Sequence, residues 1–449
     1  MVSGDSLVYG GIAKNWLTRG VYGFYGDGAG GVSPTLIRLP GYPMFLAACF
    51  RVFGMEHYGA VRYVQAVVDL LTCWLSALTA RRIFGERAGV ATLWVAALCP
   101  FTANYSAAVL TETLVLLMMA LAFCAMIRWR DAGARWNRWL WVTAGALGYS
   151  LLLRPEQVLL AIAVLPAMAW IAVRERRGIA SVVSAAACVA LTLVPWTVRN
   201  WQTFHVFQPL APRYANDPGE TPPLGFARWF RTWAIEFAST DEVYWNYNGD
   251  LIDPDMLPAR AFDAGSPQAS ATLRARTIAV LDQYNLKAQQ TAESERSFAE
   301  LASERIQAHP VEYYALLPVA RLLDMILRPR TEMMAVPLEW WRWREHAGMA
   351  AAAGLYASVN LMYLVVGAAG WWCWRRTPLR APALAWAMAA TVLLRCVLLL
   401  TIDNSEPRYT LEFFPILFVC AGALFEAAWR RSAAATSADL AETAAMRTE

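Results

Sequence analysis

Residues 107–130 read AAVLTETLVLLMMALAFCAMIRWR. Before the terminal Arg128-Trp129-Arg130, the only charged residue in this stretch is Glu112, near its start. A run of about 20 apolar residues is long enough to cross the hydrocarbon core of a bilayer as a helix. Arginine and tryptophan at the end of such a run are typical of the point where a helix leaves the membrane. The stretch therefore predicts a membrane-spanning helix over 107–127.

The composition of the 449-residue chain extends this interpretation to the whole molecule. Hydrophobic residues make up 57% and charged residues 16%, with a mean hydropathy of +0.34, whereas soluble domains average about 45–50% apolar and about 25% charged residues. These values exclude a disordered chain, a coiled coil and an ordinary soluble enzyme. The net charge of +4 is too small to indicate a nucleic-acid-binding protein.

Apolar stretches of suitable length recur along the chain. Nine spans are predicted, over 61–82, 88–103, 107–127, 138–153, 156–173, 179–198, 349–372, 383–401 and 409–429. We therefore predict an all-α polytopic transmembrane bundle with a large extracytoplasmic loop region.

The spans divide the chain into five predicted segments. These are a first extracytoplasmic loop with an interfacial helix (1–60, of which 1–35 is loop), a transmembrane catalytic core (61–198), an extracytoplasmic loop region with short helices (199–348), C-terminal transmembrane helices (349–429) and a cytoplasmic tail (430–449).

Basic residues in the short connections between spans predict the orientation. They occur at 81–87, 128–138, 174–177, 375–380 and 430–431. If nine spans alternate, all of these connections fall on one side, which the positive-inside rule assigns to the cytoplasm. Residue 1 would then begin on the outer side with nothing to carry it there, so we expect a preceding first span to be missing from this chain.

Charged residues gather at the predicted outer ends of the spans. The carboxylates are Asp5 and Glu112, and the basic residues are Arg38, Arg154, Arg199 and Arg408. A carboxylate can accept the proton of an acceptor hydroxyl. Arginines can hold a phosphate with two hydrogen bonds and stabilise its charge as it leaves. This combination suits a reaction on a lipid-linked phosphate.

Each of these residues also has a simpler explanation. Glu112 at a helix N-terminus complements the helix dipole. Arginines at helix ends anchor a membrane protein among lipid headgroups. Asp5 lies in a Gly-rich segment, where aspartate often stabilises a turn. The residue types alone leave both interpretations open.

Several short motifs occur together and in a fixed order. They are Gly4-Asp5-Ser6-Leu7-Val8-Tyr9, Arg38-Leu39-Pro40-Gly41-Tyr42-Pro43, Leu110-Thr111-Glu112-Thr113-Leu114, Leu153-Arg154-Pro155-Glu156, Pro195-Trp196-Thr197-Val198-Arg199-Asn200 and Glu406-Pro407-Arg408-Tyr409. In this order the motifs resemble those of GT-C glycosyltransferases, and most closely the dolichyl-phosphate-mannose protein mannosyltransferase-like branch, glycosyltransferase family 39.

The resemblance implies an inverting transfer of one sugar from a polyprenyl phosphate to an acceptor hydroxyl, at the extracytoplasmic face of a bacterial inner membrane. It implies that Asp5 is the general base and that Glu112 orients the acceptor or a bound cation. The implied substrate-binding residues are Arg38, Tyr42, Arg154, Arg199, Arg408 and Tyr409. Many relatives carry a second acidic residue after the first, where this chain has Ser6, which weakens a metal role. We expect no protein-bound cofactor.

Two other functions remain open from the sequence. A transporter or flippase for lipid-linked sugars would favour broken helices and charges near the bilayer midplane, whereas the charges here lie at helix ends. A non-catalytic partner in envelope assembly would bind the same lipid without needing Asp5. The transferred sugar and the glycan, lipid or protein acceptor are not determined by the sequence.

Overall fold

Helices account for nearly all of the regular structure. The computed structural model describes residues 4–25, 31–376 and 381–446, and the chain divides into two units. The first unit comprises Met1–Ala215, Leu361–Val392 and Leu411–Glu449, and the second comprises Asn216–Asn360 and Leu393–Thr410.

The first unit begins with a short helix, a hairpin and the helices that follow them. The elements are α1 (Asp5–Arg19), β1 (Gly23–Tyr25), β2 (Val32–Pro34), α2 (Gly41–Phe53), α3 (Tyr58–Phe84), α4 (Glu86–Ala97), α5 (Pro100–Ser106), α6 (Glu112–Asp131), α7 (Arg138–Leu153), α8 (Val158–Arg174), α9 (Ala180–Leu191) and α10 (Val194–Phe204). The strands pair antiparallel, with Phe24 opposite Ser33, and Pro155–Gln157 forms a 3-10 turn before α8.

Helix α1 corrects the prediction of a loop over 1–35. Of its buried residues only Ile12 is large and hydrophobic, whereas Ser6, Gly10, Ala13 and Asn15 are small or polar, so hydropathy does not reveal the helix. Gly10 allows α1 to pack closely against Tyr58 at the start of α3, because a Cβ on residue 10 would lie 2.0 Å from the Tyr58 hydroxyl. The helix ends at Gly20, whose φ of +71° is readily adopted by glycine. The predicted helix that follows is confirmed as α2.

Three long helices complete the chain. They are α16 (Ala347–Arg376), α17 (Pro382–Leu399) and α18 (Phe414–Met446), the last preceded by a 3-10 turn over Pro407–Phe413. Residues 361–376 of α16 and 382–392 of α17 belong to the first unit.

Within the described part of the chain, seven helical segments are long and apolar enough to cross a membrane. They are Tyr58–Phe84, Glu112–Asp131, Pro155–Arg174, Ala180–Phe204, Ala347–Arg376, Pro382–Leu399 and Pro407–Ala434. The chain is thus a multi-pass membrane protein. The two other predicted spans correspond to shorter helices: α4 ends before Pro100, which cannot continue a helix, and α7 ends at Leu153.

The core of the first unit surrounds α6, which is the most deeply buried of the seven long helices. Met119 and Trp129 of α6 pack in one cluster with Leu147 of α7, Val164 of α8 and Met388 of α17, all fully buried. This packing fixes the position of Glu112, the first residue of α6.

The second unit has a core of its own. Its helices are α11 (Leu224–Phe230), α12 (Phe237–Ser239), α13 (Pro267–Asn285), α14 (Ala292–Ala308) and α15 (Leu317–Leu327), with short 3-10 or π turns at Thr240–Tyr244, Pro254–Met256, Ala259–Phe262 and Glu312–Leu316. Phe226, Trp229 and Phe298 pack in its centre. The predicted loop region thus contains a folded helical unit.

Candidate active site

Asp5 and Arg38 form an ion pair in the first unit. Arg38 Nη2 lies 2.8 Å from Asp5 Oδ1, and both side chains are about one-quarter exposed. Asp5 is the first residue of α1, and Arg38 lies in the segment between β2 and α2. The pair therefore joins the start of the first helix to the segment that follows the hairpin, while both groups remain reachable from outside.

Arg199 holds the segment that carries Arg38. Its guanidinium donates hydrogen bonds to the carbonyl of Thr35 at 2.7 Å and to the carbonyl of Tyr22 at 2.9 Å. It also lies 5.1 Å from the ring of Trp196, on its own helix. These hydrogen bonds attach the residues on either side of the hairpin to α10. Arg199 therefore positions the segment that carries Arg38 through backbone carbonyls.

Tyr42 lies in the interior beside the site. It is fully buried, and its hydroxyl donates to Gln65 Oε1 at 2.6 Å. The Gln65 amide in turn donates to the carbonyls of Ser106 and Ala108, just before α6. Tyr42 thus connects α2 and α3 to the segment that leads into Glu112.

Arg154 is surrounded by three carboxylates, which come from separate parts of the first unit. Its guanidinium nitrogens lie 3.3 Å from Glu112 Oε1, 3.5 Å from Glu156 Oε1 and 3.8 Å from Glu412 Oε1. Glu112 and Glu412 are almost fully buried, and Glu156 is about one-fifth exposed. A buried carboxylate needs a compensating charge, and Arg154 supplies a cation next to Glu112 at the start of α6.

Tyr9 of α1 lies within electrostatic reach of both charged pairs. Burial is the main influence and raises the pKa of its phenol to about 12, with smaller effects from Arg38, Asp5, Arg154 and Glu112. Its ring packs edge-on against Tyr42 at 5.1 Å. Tyr9 is therefore within electrostatic reach of all four charged residues, with the Arg38 guanidinium 5.7 Å from its ring centre, and the phenol stays protonated at neutral pH.

Arg408 and Tyr409 belong to the second unit. Arg408 is ion-paired with Glu406, and the Tyr409 carbonyl accepts a hydrogen bond from Arg395 Nε at 3.1 Å. The turn that carries them is held by Arg330, which donates to the Pro407 carbonyl at 3.0 Å.

The arrangement brings together most of the predicted residues of the first unit. Asp5 pairs with Arg38 and Glu112 with Arg154, and both pairs lie within electrostatic reach of Tyr9. Tyr42 and Arg199 support them from buried or backbone-bound positions. Chemically, it offers a carboxylate base, a cation for a phosphate and a neutral hydroxyl donor. Among the described residues, no group of three or more His, Cys, Asp or Glu side chains is placed to hold a metal ion.

Sequence reasoning missed three residues of this site. Tyr9 and Glu156 lie inside motifs that drew attention for their neighbours Asp5 and Arg154. Tyr9 lies four residues after Asp5, which gives a weak signal because residues four apart along a helix share a face. Glu156 lies only two residues after Arg154 and gives no such signal. Glu412 has no such signal, since it meets Arg154 from 258 positions away in the chain.

The comparison with protein families bears directly on this site. Residues 34–198 match the family model for dolichyl-phosphate-mannose-protein mannosyltransferases. The resemblance predicted from the motifs is confirmed. The matched segment contains Arg38, Tyr42, Glu112 and Arg154 and does not include Asp5.

Two solved structures are similar to this chain at 15% sequence identity. They are ArnT from Cupriavidus metallidurans bound to undecaprenyl phosphate, with a TM-score of 0.40 over 96% of this chain and 74% of that chain, and the same protein in the apo state, with a TM-score of 0.36 over 95% and 73%. No curated protein matches the chain.

Proposed function

We propose that this chain is an inverting membrane glycosyltransferase that moves a monosaccharide from a polyprenyl-phosphate carrier to an acceptor hydroxyl. The observation that carries the proposal is the Asp5–Arg38 ion pair, which shares Tyr9 as a neighbour with the Glu112–Arg154 pair. The family match over 34–198 supports the same reaction class, because dolichyl phosphate mannose is a polyprenyl-phosphate sugar.

In this proposal Arg38 binds the donor phosphate. Its side chain is about one-quarter exposed, so a phosphate can approach the guanidinium that Asp5 already contacts. Arginine suits this role because its fork of N–H groups matches two phosphate oxygens. When the phosphate takes over part of the guanidinium, the Asp5 carboxylate becomes available to the acceptor.

The chemical step is a single displacement at the anomeric carbon. The acceptor oxygen forms a bond to this carbon while the bond from the carbon to the phosphate oxygen breaks. Asp5 accepts the hydroxyl proton, and the polyprenyl phosphate leaves with the bonding electrons and is stabilised by Arg38. One displacement inverts the configuration of the sugar. General-base catalysis of this kind contributes about 10²–10⁴ in rate.

Glu112 orients the acceptor in this proposal, and Arg154 holds the Glu112 side chain in place. Arg154 faces three carboxylates, so less of its positive charge is available for a phosphate than that of Arg38. Tyr42 and Arg199 act as positioning residues. Arg408 and Tyr409 are further substrate-binding residues in this proposal.

We place the reaction on the extracytoplasmic face of a bacterial inner membrane. The support is the charge distribution. The basic connection 128–138 lies at the end of α6 opposite Glu112, and the basic connection 174–177 lies at the end of α8 opposite Arg154.

The test uses the full chain in lipid nanodiscs with a panel of radiolabelled polyprenyl-phosphate sugars and a membrane extract as acceptor source. The readout is transfer of label from the lipid, together with donor binding. Asp5→Asn should lower turnover at least about 100-fold and leave donor binding within about twofold. The matched control is Glu56→Gln, which removes another carboxylate ion-paired near α1, to Lys14 at 2.7 Å, and should keep full activity.

Other outcomes would assign a different function. Movement of intact labelled lipid across the bilayer, without transfer of sugar, would indicate a transporter or flippase. Donor binding without turnover in the wild type, unaffected by Asp5→Asn, would indicate a non-catalytic partner. Either result would overturn the glycosyltransferase proposal.

A further inference from the structure

A cavity lies near the end of α6 that is opposite Glu112. Its volume is about 470 Å³, and it is bordered by the last turns of α6 and α8 and the first turn of α17, all in the first unit. Glu112 starts α6, and the cavity lies by Met126, Ile127 and Arg130 near its end. A 20-residue helix is about 30 Å long, so this cavity is separate from the candidate active site.

The cavity combines a basic rim with an apolar wall. Arg130 and Arg174 provide the charge, and Ile127, Ile171 and Leu384 line the wall. Trp170 lies between the two surfaces, with the Arg174 guanidinium 5.1 Å from its ring centre. Tryptophan beside arginine at helix ends is typical of the lipid headgroup layer.

A neighbouring cavity of about 400 Å³ adds to the positive charge. It is lined by Arg135, Trp136, Arg176, Arg177 and Ser181. Four of the arginines around the two cavities, Arg135, Arg174, Arg176 and Arg177, are exposed.

Carboxylates offset this charge only in part. Asp131 is paired with both Arg130 and Arg82, and Glu175 lines the first cavity. The two cavities together are lined by five arginines, so positive charge predominates around them.

We propose that this cavity binds the headgroup of an anionic phospholipid. The phosphate would lie between Arg130 and Arg174, and an acyl chain would follow the wall formed by Ile127, Ile171 and Leu384. Basic pockets between transmembrane helices are suited to such headgroups, and juxtamembrane arginines are attracted to anionic lipids. A zwitterionic lipid brings its own ammonium group to the arginines and fits less well. The proposal does not depend on the glycosyltransferase function.

The experiment is native mass spectrometry of the full-length protein, titrated with phosphatidylglycerol or with phosphatidylcholine of the same acyl chains. The wild type should retain phosphatidylglycerol at least about fivefold more tightly. Arg130→Gln with Arg174→Gln should weaken phosphatidylglycerol binding by about tenfold or more and leave phosphatidylcholine binding unchanged. The matched control, Arg375→Gln with Arg376→Gln, neutralises two exposed arginines at the end of α16 that line neither cavity and should bind as the wild type does.

Two further arms keep the proposal falsifiable if the double glutamine variant does not fold. Arg130→Lys with Arg174→Lys keeps the charge and should bind phosphatidylglycerol within about threefold of the wild type. Equal retention of both lipids by the wild type, or equal losses in the cavity and control variants, would overturn the proposal. Displacement of phosphatidylglycerol by one equivalent of polyprenyl phosphate would assign the cavity to the carrier lipid instead and would also overturn it.

Discussion

Tyr9 is half-buried within electrostatic reach of two acidic and two basic side chains, and burial raises the pKa of its phenol to about 12. A raised phenol pKa means that the neutral form persists until the pH approaches that value. Tyr9 is therefore a hydrogen-bond donor throughout the range in which a membrane enzyme is assayed. A neutral donor next to a phosphate site stabilises charge as it develops.

Removing that donor should slow the proposed reaction without unfolding the protein. Tyr9→Phe keeps the ring packed against Tyr42 and should lower turnover about tenfold. Since the wild-type phenol does not titrate between pH 6 and 9, the pH profiles of variant and wild type should have the same shape. The exposed Tyr25 offers the control Tyr25→Phe, which should be active. If the activity of the wild type changed with pH in this range and that of Tyr9→Phe did not, the role of Tyr9 as a neutral donor would be contradicted.

Arg154 and its three carboxylates allow a second prediction. Arg154→Gln leaves the buried Glu112 without its cation and should cost about 3–5 kcal/mol of stability, seen as a lower thermal unfolding midpoint in detergent. Glu156→Gln is the matched comparison, because Glu156 is partly solvated and screened. Its loss should cost no more than about 1 kcal/mol. Equal destabilisation by both variants would show that Arg154 does not compensate Glu112.

At the scale of elements, α2 is fixed by a close backbone approach to α7. A Cβ on Gly41 would lie 2.6 Å from the carbonyl oxygen of Leu152, in the last turn of α7. The Tyr149 hydroxyl donates to the Gly41 carbonyl at 2.9 Å, from the same helix. This contact sets the distance between the Arg38 segment and Arg154, which follows α7 directly.

Gly41→Ala should therefore disturb both stability and turnover. Because the obstacle is backbone, relief requires α2 to shift, at a cost of about 1–3 kcal/mol. Gly11→Ala is the control, since no atom lies within 4 Å of a Cβ there, and a helical glycine replaced by alanine gains about 0.5–1 kcal/mol. Thermal unfolding and sugar transfer are measured for both. A Gly41→Ala protein as stable and active as the wild type would refute the role of this contact.

The hairpin is the other element whose position depends on one side chain. Arg199→Ala removes the donors to the carbonyls of Tyr22 and Thr35. We expect faster amide exchange in β1 and β2, measured by hydrogen–deuterium exchange. The loss of activity should be smaller than in Asp5→Asn. The exposed Arg51 of α2 provides the control Arg51→Ala. Unchanged exchange in the hairpin of Arg199→Ala would count against this anchoring role.

At the scale of the molecule, the predicted orientation can be tested with single introduced cysteines. Glu293→Cys lies on α14 of the second unit, and Ala132→Cys lies in the basic connection after α6; both positions are exposed. In intact cells whose outer membrane is permeabilised, an impermeant maleimide should label the first and not the second. Equal labelling of both would contradict the positive-inside assignment.

The sequence by itself determined the class of this protein, because crossing a bilayer is a local property of about 20 consecutive residues. Seven predicted spans are found as long apolar helices. It missed α1, whose buried residues are mostly small or polar and give little hydropathy signal. The predicted spans 88–103 and 138–153 correspond to shorter helices, since α4 ends before Pro100 and α7 covers the 16 residues Arg138–Leu153.

The sequence also provided the candidate residues, because charges at the ends of apolar runs stand out. Only the tertiary structure decided their partners: Asp5 with Arg38, Glu112 with Arg154, Tyr9 beside both pairs, and Glu412 from a distant part of the chain. Ion pairs depend on separations of a few ångströms, and those separations follow from how the helices pack. Hydropathy along a chain reports where helices lie in a membrane and carries no information on which of their ends meet.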